Sequence, residues 1–531
     1  MKKKVLIPLW LSIAMVLGVV LGSKLNFADS TQRIFATNSK KDKLNRLIDY
    51  IDYEYVDRVN TDSIVDITVN QILENLDPHS VYIPVNEYSQ TADDMRGAFT
   101  GIGISYRVYN DSVAVIKPLK DGPAKNSGIL AGDRILFADG KQLYGKTVRR
   151  DSIQDYLKGE INSKVSLTVY RPSTKNTFDI SLRRKEIPLK SITAAYKITD
   201  SLGYIRLNRF SEKTYKEFET ALKDLIDNGI TKLVLDLRDN PGGYISSAER
   251  IADEFLEKDK LILITKNKAG DVTRTYATRR GNFEDGKIYV LINENSASAS
   301  EIVAGALQDN DKGVIVGRRS FGKGLVQREM ELGDGSAVRL TVARYYTPTG
   351  RSIQRPYGDG NKAYYNEYEE RYLNGELIHE DSIKVADSLR FLTPKGRTVY
   401  GGGGIIPDVF IPKDTSIENE TIQFIANHGV ISYFAFEFLD KNRASFQDIQ
   451  FEDYLNNFEV DDVLIDEFIH FSKFDLAGID ISPYLPQLRR SIKASIAEQL
   501  YSEEEYEIIL NQEDPMLLKV LELESKNYLN N

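Results

Sequence analysis

The sequence predicts a multidomain α/β protein, and three observations carry that prediction. From about residue 191 apolar strand runs alternate with amphipathic helix runs, residues 96–187 are short strands with few helices, and residues 413–531 read as helix. Strands alternating with helices are the mark of βαβ units around a mostly buried sheet. At 531 residues the chain can hold several domains, each with its own core. The expected division is a membrane segment at 1–26, a helical segment at 40–95, a β-rich module at 96–187, a βαβ core at 188–412 with an insertion near 355–400, and a helical region at 413–531.

Taken in order, Lys2, Lys3 and Lys4 precede VLIPLWLSIAMVLGVVLG, an uncharged run at 5–22. Its length approaches the hydrocarbon thickness as a helix, and the lysines favour the cytoplasmic side. An uncleaved signal anchor is expected, with a cleaved signal peptide as the alternative. Either puts the bulk of the chain outside the cytoplasm, facing the periplasm or the cell exterior. KLNRLIDYIDYEYV and SIVDITVNQILENL repeat apolar residues every three or four positions, as two amphipathic helices do, and LDPHSVYIP breaks the pattern at Pro78. GIGISYRV, DSVAVIKPL, DRILFADG, SKVSLTVYRP and TFDISLRRKEI are β-branched or alternating runs between Gly, Asp and Asn turns, with one helix-like interruption, VRRDSIQDYLKG.

The core then reads strand LGYIRLNRF, helix TYKEFETALKDLIDNG, strand KLVLDLRD, helix ISSAERIADEFLEK, strand KIYVLINE, helix SEIVAGALQDN and strand GVIVG. GLVQREMEL and AVRLTVARYY flank the turn GDGS and predict an antiparallel hairpin ending that sheet. A polar, tyrosine-rich insertion leads to GGGGIIPDVFIP, and an acidic, aromatic-rich helical region follows it.

Composition excludes several chemistries. A net charge of −9 without a basic stripe argues against an electrostatic nucleic-acid binder. With no cysteine there is no thiol nucleophile, disulfide or zinc-thiolate site. The four histidines, His79, His379, His428 and His470, lack metal-ligand spacing, which disfavours a metalloprotease or a His-based triad.

Three stretches carry the remaining chemistry. In NSASASEIVAGALQDN, Ser296, Ser298 and Ser300 sit where a strand becomes a helix, close to unpaired N–H groups and the positive end of the helix dipole. That geometry caps a helix and equally stabilises an oxyanion. In RRSFGKGLVQ, Lys323 lies between Gly322 and Gly324, and burial would leave it a neutral amine able to take a serine proton. In LVLDLRDNPGGY, Gly242 and Gly243 close a buried strand and allow a backbone N–H to approach a carbonyl.

These stretches, with LDPHS at 76–80, GIGI at 101–104, LDLRDNPGG at 235–243, SASASE at 296–301, FGKGLVQ at 321–327, YYTPTGRSIQ at 345–354 and GIIPDV at 404–409, resemble the C-terminal processing peptidases, or tail-specific proteases. The resemblance spans residues 40–412. It implies a crotonase-like βαβ peptidase core with an inserted PDZ-like domain, a serine peptidase with a Ser-Lys pair. Ser298 would be the nucleophile, Lys323 the general base, and Gln327 the group orienting the lysine. The N–H groups of Ala299 and of either Gly242 or Gly243 would form the oxyanion hole. Asp309 is expected to support the site.

Thr100, Gly101, Ile102, Gly103 and Ile104 would form the carboxylate loop and strand edge of a groove that binds peptide tails. Relatives use an arginine-glycine pair to couple that groove to catalysis, whereas this chain reads Leu157, Lys158, Gly159, which keeps the charge but not the planar fork. No metal or organic cofactor is implied. The expected partners are protein or peptide substrates with exposed C-terminal tails and the membrane, but no nucleic acid; a second copy or an adaptor protein stays open. The rivals are a non-catalytic PDZ-type adaptor at the membrane and an acyl-transfer enzyme acting on a thioester.

Overall fold

The computed structural model describes residues 39–531 except 147, 280, 474–481, 527 and 529–531, together with Ser12 and Met15. The expected signal anchor, apart from those two residues, lies outside the described residues. Among the described residues no helix is long and apolar enough to cross a membrane.

Residues 1–73 form one unit and 74–531 a second. The first is described by α1 (Ser39–Glu54) and most of α2 (Thr61–Glu74). Asn60 starts α2 by accepting the Ser63 N–H at 3.1 Å, and Thr61 Oγ1 donates to Asp52 of α1 at 2.8 Å.

The second unit opens with a turn at Asp77, whose carboxylate accepts the N–H groups of His79 and Ser80. Next come β1 (Val81–Ile83) and α3 (Val85–Arg96). The β-rich module runs from β2 (Ala98–Gly101) through β3 (Ile104–Tyr109), β4 (Ser112–Pro118), α4 (Pro123–Asn126), β5 (Arg134–Ala138), β6 (Lys141–Gln142), α5 (Arg150–Leu157), β7 (Lys164–Arg171) and β8 (Asn176–Arg183) to β9 (Lys185–Pro188). Strands β3-β4-β5-β7-β8 form an antiparallel sheet over a core that includes Val113, Ile135, Leu167 and, from α5, Ile153. The entering and leaving strands β2 and β9 pair with each other, Ala98 against Pro188, so the module closes on itself.

The core is a six-stranded sheet of order β10-β11-β12-β15-β16-β21: β10 (Ile192–Lys197), β11 (Leu202–Leu207), β12 (Lys232–Asp236), β15 (Lys287–Ile292), β16 (Gly313–Gly317) and β21 (Val409–Phe410). All neighbours are parallel except the edge pair β10/β11. Helices α6 (Thr214–Asp227), α7 (Ile245–Asp253) and α8 (Ala299–Asp309) share one buried cluster with Leu233, Leu235 and Val290. Val234, Tyr289 and Leu291 point into a second cluster on the opposite face. Strands covered on both sides read as unbroken apolar runs, which is why KLVLD and KIYVLI lack alternation.

The hairpin of β17 (Leu325–Glu331) and β18 (Ala337–Tyr346) forms antiparallel as expected, but it does not end the parallel sheet. It belongs to a second sheet, in which β18 also pairs with β1 and with β13 (Leu261–Asn267), and β13 pairs with β14 (Val272–Tyr276). The turn fixes only which two strands meet; ten-residue β18 is long enough to hold β1 at one end and β13 at the other. The insertion contains α9 (Asn361–Leu373) and the short pair β19 (Arg390–Leu392) and β20 (Thr398–Tyr400).

The C-terminal region is helical: α10 (Ile417–Asn427), α11 (Val430–Asn442), α12 (Phe451–Asn457), α13 (Asp462–Ser472), α14 (Leu485–Leu500), α15 (Glu503–Asn511) and α16 (Pro515–Ser525). It touches both other parts. Arg107 of β3 donates to Ser432 O at 2.7 Å and lies 4.0 Å over the Tyr433 ring, while Met516, Leu517 and Val520 of α16 cover the second face of the core sheet.

Candidate active site

β15 runs out at Ile292 and α8 begins at Ala299; Ser296 and Ser298 lie in the gap and Ser300 in the first turn of the helix. Two of the three are committed to structure. Ser296 Oγ donates to Leu237 O at 2.8 Å and accepts from Asn293 N, and Ser300 Oγ donates to Asn240 O at 3.0 Å; both residues are fully buried. Ser298 is half-buried and holds φ 55°, ψ −111°, a backbone state that L-residues rarely adopt. Such strain concentrates where surrounding structure imposes it for a purpose.

What imposes it is visible. Glu301, fully buried in the first turn of α8, accepts the Ser298 N–H at 2.8 Å and the Lys323 N–H at 2.9 Å on the same oxygen. Its other oxygen accepts from Ser320 Oγ at 2.6 Å and Gly322 N at 2.7 Å. Four donors facing it demand a carboxylate, although burial pushes its pKa up and the hydrogen bonds oppose that push. From the other side the buried Tyr345 hydroxyl reaches Ser298 O at 3.1 Å and Lys323 O at 2.6 Å. The serine and lysine backbones are thus clamped together through both their N–H and their C=O groups.

The Lys323 amine donates to Gln327 Oε1 at 2.8 Å. Among the described residues no hydrogen bond joins it to Ser298 Oγ, so the clamps, not a side-chain contact, hold the pair. Burial, helped by Arg339, lowers the lysine pKa to about 8, against the opposing pull of Glu301 and Asp77. Gln327 in turn donates through Nε2 to His79 O.

The two glycines of the PGG turn differ. The Gly242 N–H is committed to Asn240 Oδ1 at 2.9 Å, and a Cβ built on Gly242 would lie 2.8 Å from Ser298 Cβ and 2.9 Å from Ala299 N. Gly243, at φ 143°, packs so closely on Phe210 that a Cβ there would lie 2.0 Å from Phe210 O. Asp309 is 1% exposed and pairs with fully buried Arg351 at 2.7 Å while accepting from Thr347 and Thr349, which ties α8 to the chain after β18. Its role is structural support.

Gly101, Ile102, Gly103 and Ile104 line a cavity of about 290 Å³ between β3 and α5, with Tyr106, Leu157 and Lys158. Thr100 sits one residue earlier, paired with Glu186 of β9. Asp93 and Asp94 of α3 close one side of this groove, and Lys158 is ion-paired to Asp93 at 3.1 Å. The charge expected at position 158 therefore faces an acidic partner across the groove.

Sequence reasoning did not identify Glu301, Tyr345 or Asn240 individually, and it set His79 aside with the other histidines. Their signals were present only as letters in SASASE, YYTPTG, DNPGG and LDPHS. Among the described residues no group of His, Asp and Glu is arranged to hold a metal ion.

Residues 201–358 match the model of peptidase family S41, residues 100–182 that of the PDZ domain, and residues 421–502 a family of unknown function. The chain is 39% identical over 306 residues to a carboxy-terminal-processing protease of Bartonella bacilliformis, covering 57% of this chain and 69% of that one. It is 34% identical over 317 residues to the carboxy-terminal processing protease CtpB of Bacillus subtilis, covering 59% of this chain and 65% of that one. Among solved structures, a photosystem II D1 C-terminal processing protease aligns at 26% identity over 70% of this chain and 86% of its own, with a TM-score of 0.36. With a relative this similar over more than two thirds of its length, and with both domain models matched in place, the chain belongs to peptidase family S41, as a carboxy-terminal-processing serine peptidase that carries a PDZ domain.

Proposed function

We propose that this chain cleaves proteins presented by their C-terminal tails, through an acyl-enzyme on Ser298 with Lys323 as general base. The observation that carries the reading is the double clamp: one buried carboxylate and one buried tyrosine hydroxyl bind a strained serine and a half-buried lysine to each other. A lysine held at about pKa 8 is about one tenth neutral at pH 7, far more than an ordinary lysine, and so can act as a base. It takes the Ser298 proton as Oγ attacks the scissile carbonyl and returns it to the leaving amine; water then hydrolyses the ester by the same base.

The oxyanion is held by the Ala299 N–H at the start of α8 and by the Gly243 N–H, since Gly242 has already given its own to Asn240. Gln327 holds the amine. The groove at 101–104 takes the substrate tail as an added strand, with its carboxylate toward the loop N–H groups. The apolar run at 5–22 after three lysines supports a membrane anchor and an extracytoplasmic address.

The test is cleavage of an unfolded protein with an apolar tail by the full chain. Ser298→Ala and Lys323→Ala are each expected to abolish it with the fold retained, and an amidated tail is expected to raise KM about tenfold with little change in kcat. Full activity in either variant would sink the mechanism, whereas absence of cleavage by the wild-type chain itself would favour a non-catalytic tethering role.

A further inference from the structure

The insertion that interrupts the core is docked on the machinery that holds the lysine. Tyr364 of α9 is 2% exposed, its hydroxyl lies 2.7 Å from His79 Nε2, and the two rings meet edge-on at 5.2 Å. Its neighbour Tyr365 donates to Pro78 O at 2.6 Å. Arg355 lies 3.9 Å over both the Tyr364 and the Phe321 rings, sandwiching the start of the insertion against the residue two before Lys323. The turn they grip is itself locked: Asp77 accepts from His79 N, Ser80 N, Ser80 Oγ and Thr341 Oγ1.

The product of this packing is one carbonyl, that of His79, aimed at Gln327 Nε2. A glutamine amide has a donor end and an acceptor end. A carbonyl can only accept, so it forces the amino end toward itself and the Oε1 toward Lys323. Without it the amide could turn over and present two hydrogens to the lysine, which would compete with the serine hydroxyl for the amine's lone pair.

We propose that His79, held by Tyr364 of the insertion, is a positioning residue for the general base: its backbone carbonyl sets the Gln327 amide, and the amide sets the Lys323 amine. The proposal deepens the function argued above and rests on Lys323 being the base. The ring contributes as well. Burial, together with the positive charge of Lys323 and Arg355, holds His79 down to about pKa 3 despite Asp77, so the ring stays neutral where it packs on Tyr364 and Phe321. The charged groups bearing on that amine are Arg339 from β18, Glu301 from α8 and Asp77 from the turn.

The experiment compares pH profiles of kcat for the full chain as wild type, Tyr364→Phe, His79→Ala and His79→Gln, with melting temperatures alongside. Loss of the Tyr364 anchor lets water reach the amine, stabilises its protonated form and raises its pKa, so the acidic limb moves to higher pH. A shift of about 0.5–1 pH unit is expected for Tyr364→Phe and His79→Ala, with kcat at the wild-type optimum down about tenfold and KM within about twofold. His79→Gln, which can still pair with the Tyr364 hydroxyl, is expected to restore most of both.

A substitution that only loosened the fold would lower the melting temperature and the active fraction without moving the limb. An unmoved limb in folded His79→Ala would overturn the positioning role. Should Tyr364→Phe fold poorly, the His79→Ala and His79→Gln pair decides the matter. Activity surviving in Lys323→Ala would bring down the base assignment itself, whereas an inactive Lys323→Ala beside an unmoved limb would remove only this proposal.

Discussion

Replacing Glu301 with glutamine removes one acceptor from the centre of the clamp without changing its shape. The carboxylate takes two donors on each oxygen: Ser320 Oγ and Gly322 N on one, Ser298 N and Lys323 N on the other. Whichever way the amide turns, an NH2 faces two of those four donors. Hydrogen bonds to a charged partner contribute about 1.5–3 kcal/mol each, so losing two costs about 3–6 kcal/mol in local stability. At about 1.4 kcal/mol per factor of ten, even the lower figure opens the clamp about 100-fold more often.

Hydrogen exchange followed by mass spectrometry, on peptides covering 296–301 and 321–327, reads that opening directly. Glu301→Gln is expected to accelerate exchange there about 100-fold or more, to leave the PDZ peptides unchanged, and to lower kcat by a similar or larger factor. Exchange within about threefold of wild type in both peptides, with kcat preserved, would refute the argument that this carboxylate joins the two residues.

Other outcomes follow from the same geometry. The wild-type kcat/KM is expected to rise with pH through a midpoint near 8, as Lys323 loses its proton. The same shift bears on stability: a lysine depressed in the fold and ordinary when unfolded makes the unfolded chain bind more protons between about pH 8 and 10.5, so local stability increases with pH across that window. Gly243→Ala is expected to misplace the PGG turn, because its Cβ would collide with Phe210 O; a purified variant with normal activity would contradict the packing. Arg351→Met strands Asp309 in a fully buried site, and a loss of about 3–5 kcal/mol is expected in thermal unfolding of the core.

The strand-to-helix junction that holds Ser298, and the glycine-flanked lysine, were legible because local pattern determines them: an apolar strand, a capping serine run and a helix leave little freedom. Periodicity likewise located the βαβ order. What escaped depends on contacts distant in sequence. Nothing near Tyr345 says that β18 passes beneath the serine, and LILITKN joins a second sheet only because β18 reaches it, with VTRTY added on through LILITKN. The insertion reads as a polar, tyrosine-rich loop, yet Tyr364 is buried against a histidine 285 positions away. Glu301 was in view as the last letter of SASASE, but its four donors come from two segments that only the folded chain brings together.

The central claim is that Ser298 is the residue that bonds to substrate. Intact-mass measurement after treatment with a fluorophosphonate, followed by peptide mapping, tests it most directly. A single adduct on Ser298 is predicted, absent from Ser298→Ala and formed far more slowly in Lys323→Ala; a label on Ser296, Ser300 or any other residue would contradict the account.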